Sequence, residues 1–293
     1  ISIFPLPLCL LLLDYIRGDR ITMNKITEKI PYFLVSGLFL VIALFGKQVQ
    51  ASNPLNNLLI TFASIPLSIS HIIYPVNLTI FYPFVDAIHL IHPRIVIGAI
   101  LLIILIIIGW FSRKKTNSII FSMLWFLFLI APSLINTQKG GELGIPDIYL
   151  TSDRYVYLAI LGPIFLIGLL LKKNRWSWGI LPILILIPLS FFQIKTWQNS
   201  TVLFQRVLDV NQPSYVASLN LAGFAAQDGN LEKAEELYEY SLGIRRTTKV
   251  LYNLIQIKGS LDKKDEALLL YNEYKKLKPD DREGHAFLRG FAL

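Results

Sequence analysis

IVIGAILLIILIIIGWF, residues Ile95 to Phe111, decides the fold class. No charged side chain interrupts it, and as one helix it spans most of a hydrocarbon layer about 30 Å thick. Arg113, Lys114 and Lys115 follow at once. Working outward, comparable runs occupy Pro31 to Gly46, Ser118 to Leu134, Tyr155 to Leu171 and Trp176 to Ile194, with a shorter one at Ile1 to Leu13. Over the 293 residues 54% are hydrophobic and 16% charged, against roughly 25% charged in an average globular chain. The mean hydropathy is +0.53. After Trp197 the text turns charge-rich and amphipathic. Such a shift means two domains in two solvents. The expectation is an all-α chain: a polytopic transmembrane helical bundle over residues 1–195, embedded in a lipid bilayer, followed by a short α–α solenoid over residues 196–293.

Basic residues orient the spans. Arg17, Arg20, Lys25 and Lys29 form one cluster, Arg113 to Lys115 a second, and Lys172, Lys173 and Arg175 a third. Loops rich in Lys and Arg stay cytoplasmic. Pro31 to Gly46 then runs outward and Ile95 to Phe111 inward, so everything between Lys47 and Arg94 returns to the outer face. Leu58 to Val76 is apolar but carries Pro66, His71, Pro75 and several serines, and this parity makes it interfacial or re-entrant. The last span delivers residues 196–293 to the periplasm or lumen of a bacterial inner membrane or endoplasmic reticulum. The net charge of +8 belongs to this orientation. No basic stripe with interleaved aromatics points to nucleic acid. The single cysteine, Cys9, forms no intrachain disulfide. The opening ISIFPLPLCLLLLDY has no basic residues before it and no small-residue cleavage site after it. It reads as a span entered partway, so the expectation is the later part of a longer protein.

Beyond Trp197 the sequence repeats itself at a separation of 33. Asn220-Leu221 matches Asn253-Leu254, Ala234 matches Ala267, and Leu237-Tyr238 matches Leu270-Tyr271. That period, with helix–turn–helix content, indicates tetratricopeptide repeats. Leu221, Ala222 and Leu254 belong to first helices and Gly229 to a turn. Ala234, Tyr238, Ala267 and Tyr271 line the buried faces of second helices, and Pro279 ends the second unit. Asp262 stands where the turn glycine is usual, and Tyr274 where a small residue is usual. Two repeats bury too little surface alone, so Thr196 to Val210 and Asp281 to Phe291 serve as flanking partial repeats or caps. Such an array offers a groove for a protein or peptide partner.

Three stretches carry a resemblance: PVNLTIFYP (Pro75 to Pro83), SDRYVYLAILG (Ser152 to Gly162) and WQNSTVLFQRVLDVNQPSYVASLNLAG (Trp197 to Gly223). Together they resemble the transmembrane-and-tetratricopeptide-repeat (TMTC) type of protein and its bacterial relatives, polytopic glycosyltransferases of the GT-C class. Ala159 departs from the proline common in that motif. The resemblance implies transfer of a sugar from a polyprenyl-phosphate donor to an acceptor, a protein as in O-mannosylation, on the outer face. It also implies that the catalytic acidic pair lies in an outer loop upstream of Ile1, since nothing here matches it. No bound cofactor or metal is implied, only the lipid-linked sugar as donor substrate.

On that reading Arg154 holds the donor phosphate, Asp153 orients Arg154, and Tyr155 and Tyr157 supply hydroxyls near headgroup depth. A planar, permanently charged guanidinium suits a phosphodiester. The plain alternative is an interfacial arginine in an aromatic belt. His71, Tyr74, Asn77 and Tyr82 are candidate outer-face substrate contacts. His71 reads either as a buried, hydrogen-bonded histidine or as a general base. Asp86, His89 and His92 form D-x-x-H-x-x-H, but positions six apart do not share a helix face, which favours polar loop residues over a metal site. Trp176, Trp178 and Trp197 read as interface anchors. Asn77 and Asn199 head N-glycosylation sequons of little weight. The competing function is a non-enzymatic membrane-anchored scaffold that uses the repeats for protein–protein interaction. A transporter fits less well, since no clear span carries a central charge.

Overall fold

The computed structural model describes residues 4–19, 22–45, 53–112, 116–135, 138–142, 145–171 and 179–292. Arg20, Lys47, Arg113 to Lys115, Lys172, Lys173, Arg175, Trp176 and Trp178 lie outside the described residues. The regular secondary structure of the described residues is helical apart from one two-stranded sheet, β1 (Gln138–Glu142) with β2 (Ile145–Ile148). It divides into two compact units, residues 1–140 with 146–193, and residues 141–145 with 194–293.

The first unit holds α1 (Leu6–Ile16), α2 (Met23–Glu28), α3 (Ile30–Phe45), α4 (Pro54–Ile73), α5 (Pro93–Ser112), α6 (Asn117–Ile135), α7 (Val156–Ala159), α8 (Leu161–Leu170) and most of α9 (Ile180–Lys195). Among the described residues three helices, α4, α5 and α6, are long and apolar enough to cross a membrane, while α1 and α3 are shorter apolar helices. Large apolar side chains stay uncovered along α3, α5 and α9. The run Tyr155 to Leu171 is not a single helix: a tight turn at Asp153–Tyr155 leads into α7, and α8 follows after Ile160.

Within the segment Leu58 to Val76, residues up to Ile73 lie in the unbroken helix α4, and Tyr74 to Val76 follow its end. Asn53 caps that helix by accepting from the Leu55 N–H at 2.9 Å, and Pro54 fits its first turn. Pro66 removes one N–H donor. The hydroxyls of Ser64 and Ser68 bond back to the carbonyls of Ile60 and Ser64, both at 3.0 Å, so the surrounding turns keep their polar groups paired. The carbonyl left without a helical donor by Pro66 is that of Phe62, four residues back. There α5 places Gly98, whose hypothetical Cβ would stand 1.8 Å from the Phe62 oxygen. Only a residue without a side chain fits such an approach.

The first turn of α5 meets the first half of α4, with Ile95 in one cluster with Leu59, Ile60 and Ala63. Leu101 and Leu102 join Ile65, Ile69 and Ile72 further along. Helices α4 and α5 therefore run in the same direction, and residues 74–92 must carry the chain back beside α4. They do so without regular secondary structure, with Tyr82 and Phe84 packed on Leu59, Ile60 and Ala63. Helix α6 opposes α4, since its last turn meets the first turns of α4: Thr61 Oγ1 donates to the Leu134 carbonyl at 2.9 Å. Helix α8 in turn opposes α6. Trp125 Nε1 donates to the Leu158 carbonyl at 2.9 Å, and Gly162 abuts the Ser122 carbonyl.

The second unit contains α10 (Ser200–Val210), α11 (Tyr215–Gln227), α12 (Leu231–Ile244), α13 (Thr248–Ser260), α14 (Lys264–Leu277) and α15 (Arg282–Ala292). Each helix of the second pair begins 33 residues after its counterpart, Thr248 against Tyr215 and Lys264 against Leu231. The two inter-helix turns use the same left-handed conformation, at Gly229 (φ +78°) and at Asp262 (φ +59°). Asp is among the few side chains that tolerate it. Ala222, Ala234, Leu254, Ile255, Ala267 and Leu288 are buried essentially to nothing.

Candidate functional site

The return segment and the approach to α7 are laced together. The Phe84 N–H donates to the Ile148 carbonyl at 2.9 Å, and the Leu150 N–H to the Tyr82 carbonyl at 2.8 Å. PVNLTIFYP and the residues leading into SDRYVYL thus lie side by side, although some 70 residues separate them. Thr151 is buried against α4 and α6, its N–H donating to Ser64 Oγ at 3.3 Å and its hydroxyl bonded to that of Ser133.

Two residues on, the chain reaches His71. His71 Nδ1 and Asp153 Oδ1 are 2.7 Å apart. The second carboxylate oxygen accepts from the Tyr82 hydroxyl, which itself accepts from the Thr79 N–H at 2.9 Å. The His71 and Tyr82 rings lie 4.9 Å apart, centroid to centroid. The His71 and Asp153 side chains are 12% and 17% exposed. A carboxylate so nearly buried must be matched by donors. Asp153 has two, on opposite oxygens and from different elements. With Asp153 ionised, Nδ1 carries the proton of the short bond, and the neutral ring presents the lone pair of Nε2. Among the described residues no group bonds Nε2.

The expectation that Asp153 orients Arg154 does not match this arrangement, because both oxygens of Asp153 are taken by His71 and Tyr82. Within the tight turn the neighbouring side chains part company. Asp153 goes inward, while Arg154 stays exposed with its guanidinium 5.2 Å from the centre of the Tyr155 ring. That leaves the cation open to an anionic ligand. Tyr157 is 72% and Tyr74 68% exposed, and Asn77 is exposed at φ +57°. The structure therefore joins His71, Tyr82 and Asp153 and leaves Arg154, Tyr157, Tyr74 and Asn77 at exposed positions.

The D-x-x-H-x-x-H motif ends differently. His92 Nε2 faces Asp86 Oδ2 at 3.2 Å, and its Nδ1 accepts from the Arg94 N–H at 3.2 Å in the first turn of α5. Both ring nitrogens are used. His92 acts at the head of a helix, and His89 lies beside it with ring centroids 5.7 Å apart. In the second unit Leu221, Ala222, Ala234, Tyr238, Leu254, Ala267 and Tyr271 are all buried. Gly229 holds its turn, and Pro279 is exposed between α14 and α15. Glu235, Glu239 and Glu266 bring carboxylate oxygens together, but the Lys258 ammonium already sits among them.

Sequence reasoning singled out neither Thr79, Ser64, Thr151 and Ser133 nor Lys258. The serines in an otherwise apolar segment were the only advance signal of a polar seam. No protein-family model, no curated protein and no solved structure matches this chain.

Proposed function

We propose that this chain forms part of an integral-membrane glycosyltransferase that moves a sugar from a polyprenyl-phosphate donor to an acceptor at the outer face. The second unit is then a tetratricopeptide-type solenoid that docks a protein acceptor. The observation that carries the reading is the convergence of distant stretches alongside α4. PVNLTIFYP, the turn at Asp153–Tyr155 and His71 meet there, with an exposed Arg154 next to the partly buried Asp153 carboxylate. Three helices of spanning length and the uncovered apolar faces of α3, α5 and α9 support a bilayer setting. The repeated helix pairs with the same turn geometry support the solenoid.

The test is donor binding. The chain in lipid nanodiscs is titrated with a short-chain polyprenyl phosphate, alongside Arg154→Ala. A charge-assisted hydrogen bond contributes about 1.5–3 kcal/mol, so the variant loses roughly tenfold to a hundredfold in affinity. Equal affinity in both proteins removes Arg154 from the site. No binding by either removes the enzyme reading and leaves the membrane-anchored scaffold.

A further inference from the structure

We infer that His71 is a proton acceptor for the hydroxyl of an alcohol substrate, with Asp153 as its positioning residue and Tyr82 as the group that holds Asp153. The inference rests on the glycosyl-transfer reading and deepens it: it names the base, and puts it at His71 rather than in the acidic pair that the resemblance places upstream of Ile1. Three features of the geometry support it. The carboxylate–imidazole contact is short, 2.7 Å, and on Nδ1. It is set from behind, because the Tyr82 hydroxyl occupies the other oxygen and is itself fixed by the Thr79 N–H. The far nitrogen, Nε2, has no partner among the described residues, and the ring keeps a 12% opening. A buried histidine with a merely structural role is expected to use both nitrogens, as His92 does here with Asp86 and the Arg94 N–H. His71 uses one.

A carboxylate on Nδ1–H selects the tautomer whose lone pair is on Nε2, and it stabilises the imidazolium formed when Nε2 takes a proton. In the proposed step the acceptor O–H gives its proton to Nε2 while its oxygen bonds to the anomeric carbon. The bond between that carbon and the donor phosphate oxygen breaks, and its electron pair leaves with the polyprenyl phosphate. The proton on Nε2 then passes to water, which restores the neutral ring, and no oxidant or reductant is involved. An alcohol is the class that needs this help, because its hydroxyl stays protonated at neutral pH and must lose the proton as the new bond forms. Among the described residues, Tyr82 and Asp153 are the titratable side chains that face His71.

The experiment measures turnover and donor binding separately, on the intact membrane protein in nanodiscs with a polyprenyl-phosphate sugar and water as acceptor. His71→Gln is expected to lower kcat by roughly a hundredfold or more with the donor KM unchanged. Asp153→Asn is expected to show a smaller kcat loss, again without a KM change. Unchanged kcat in His71→Gln with donor binding intact overturns the assignment and leaves the glycosyl-transfer reading standing. Failure of the unmodified protein to bind donor overturns both. Nitrogen-15 spectra of the unmodified protein decide the matter should the variants not fold. A proton on Nδ1 and none on Nε2 at neutral pH is the expected result, and the opposite tautomer overturns the proposal.

Discussion

At Lys258 an ammonium 4% exposed meets Glu235, Glu239 and Glu266 at 2.7, 2.6 and 2.5 Å, and Lys263 closes on Glu235 at 2.6 Å. Burial alone raises the Glu235 carboxyl, but the hydrogen bonds from Lys258 and Lys263 outweigh it and hold Glu235 below its ordinary range. Burial also pulls Lys258 down, and its three carboxylate partners more than reverse that. Removing one partner of such a group strands the others. Lys258→Met is therefore expected to destabilise the second unit by about 3 kcal/mol, read as a lower midpoint in urea with circular dichroism. A midpoint equal to the parent's would mean that Lys258 adds nothing net. The residue scale is also where the sequence was least informative. His71 and Asp153 lie 82 positions apart, no local spacing links them, and only the return of residues 74–92 makes them neighbours. Asp153 and Arg154 were read as one functional pair because they adjoin in sequence. A tight turn sends adjacent side chains to different environments, which a motif does not express.

Helix ends were more legible than helix partners. The expected run Ile95 to Phe111 falls inside α5, and Ser118 to Leu134 inside α6, because apolar length and flanking polar residues determine both. Pro66 was read as one of the interruptions in a segment taken as interfacial or re-entrant, and in the structure α4 runs through it. The answer lay on another element, in Gly98, whose bare Cα covers the carbonyl that Pro66 leaves undonated. Hydropathy carries no information on such a pairing. It makes a sharp expectation at this scale. Gly98→Ala forces a methyl group onto backbone and is expected to cost about 1–3 kcal/mol, lowering the unfolding temperature in detergent. Gly109→Ala, on the same helix with only the flexible end of Met123 nearby at 3.5 Å, is expected to change little. Equal melting of the two variants would contradict the close approach of α4 and α5. In the second unit the 33-residue offset did convey pairing, since the repeat fixes both helix starts and turns. Leu254→Ala, at a position 1% exposed, is expected to cost roughly 2–5 kcal/mol, measured by the same urea titration.

Across the whole molecule the charges predict how the second unit responds to acid. Glu235 and Asp281 both have folded-state values held below their unfolded ones, Asp281 chiefly by the Tyr274 hydroxyl and then by the Gly284 N–H. Groups depressed on folding lend stability that is complete above the unfolded value, near pH 4, and that drains away as pH falls through the folded value. Lys258 is raised on folding, so its share is complete below the unfolded lysine value, near pH 10, and is lost only above it. Hydrogen exchange of α12 to α14 in the intact chain, corrected for intrinsic rates, is expected to show a flat plateau through neutral pH and falling protection below about pH 4. Steady protection down to pH 2 would refute this linkage. On the same scale, the parallel course of α4 and α5 has a topological meaning. Residues 54–92 form a closed excursion that begins and ends at one end of the bundle, so they add no change of side to the chain's path. Excising such a handle, or lengthening it, leaves the sidedness of every later helix as it was. Cysteines placed at Leu55 and Leu90 should then react with an impermeant reagent from the same face of a sealed vesicle, however deep the stretch between them reaches.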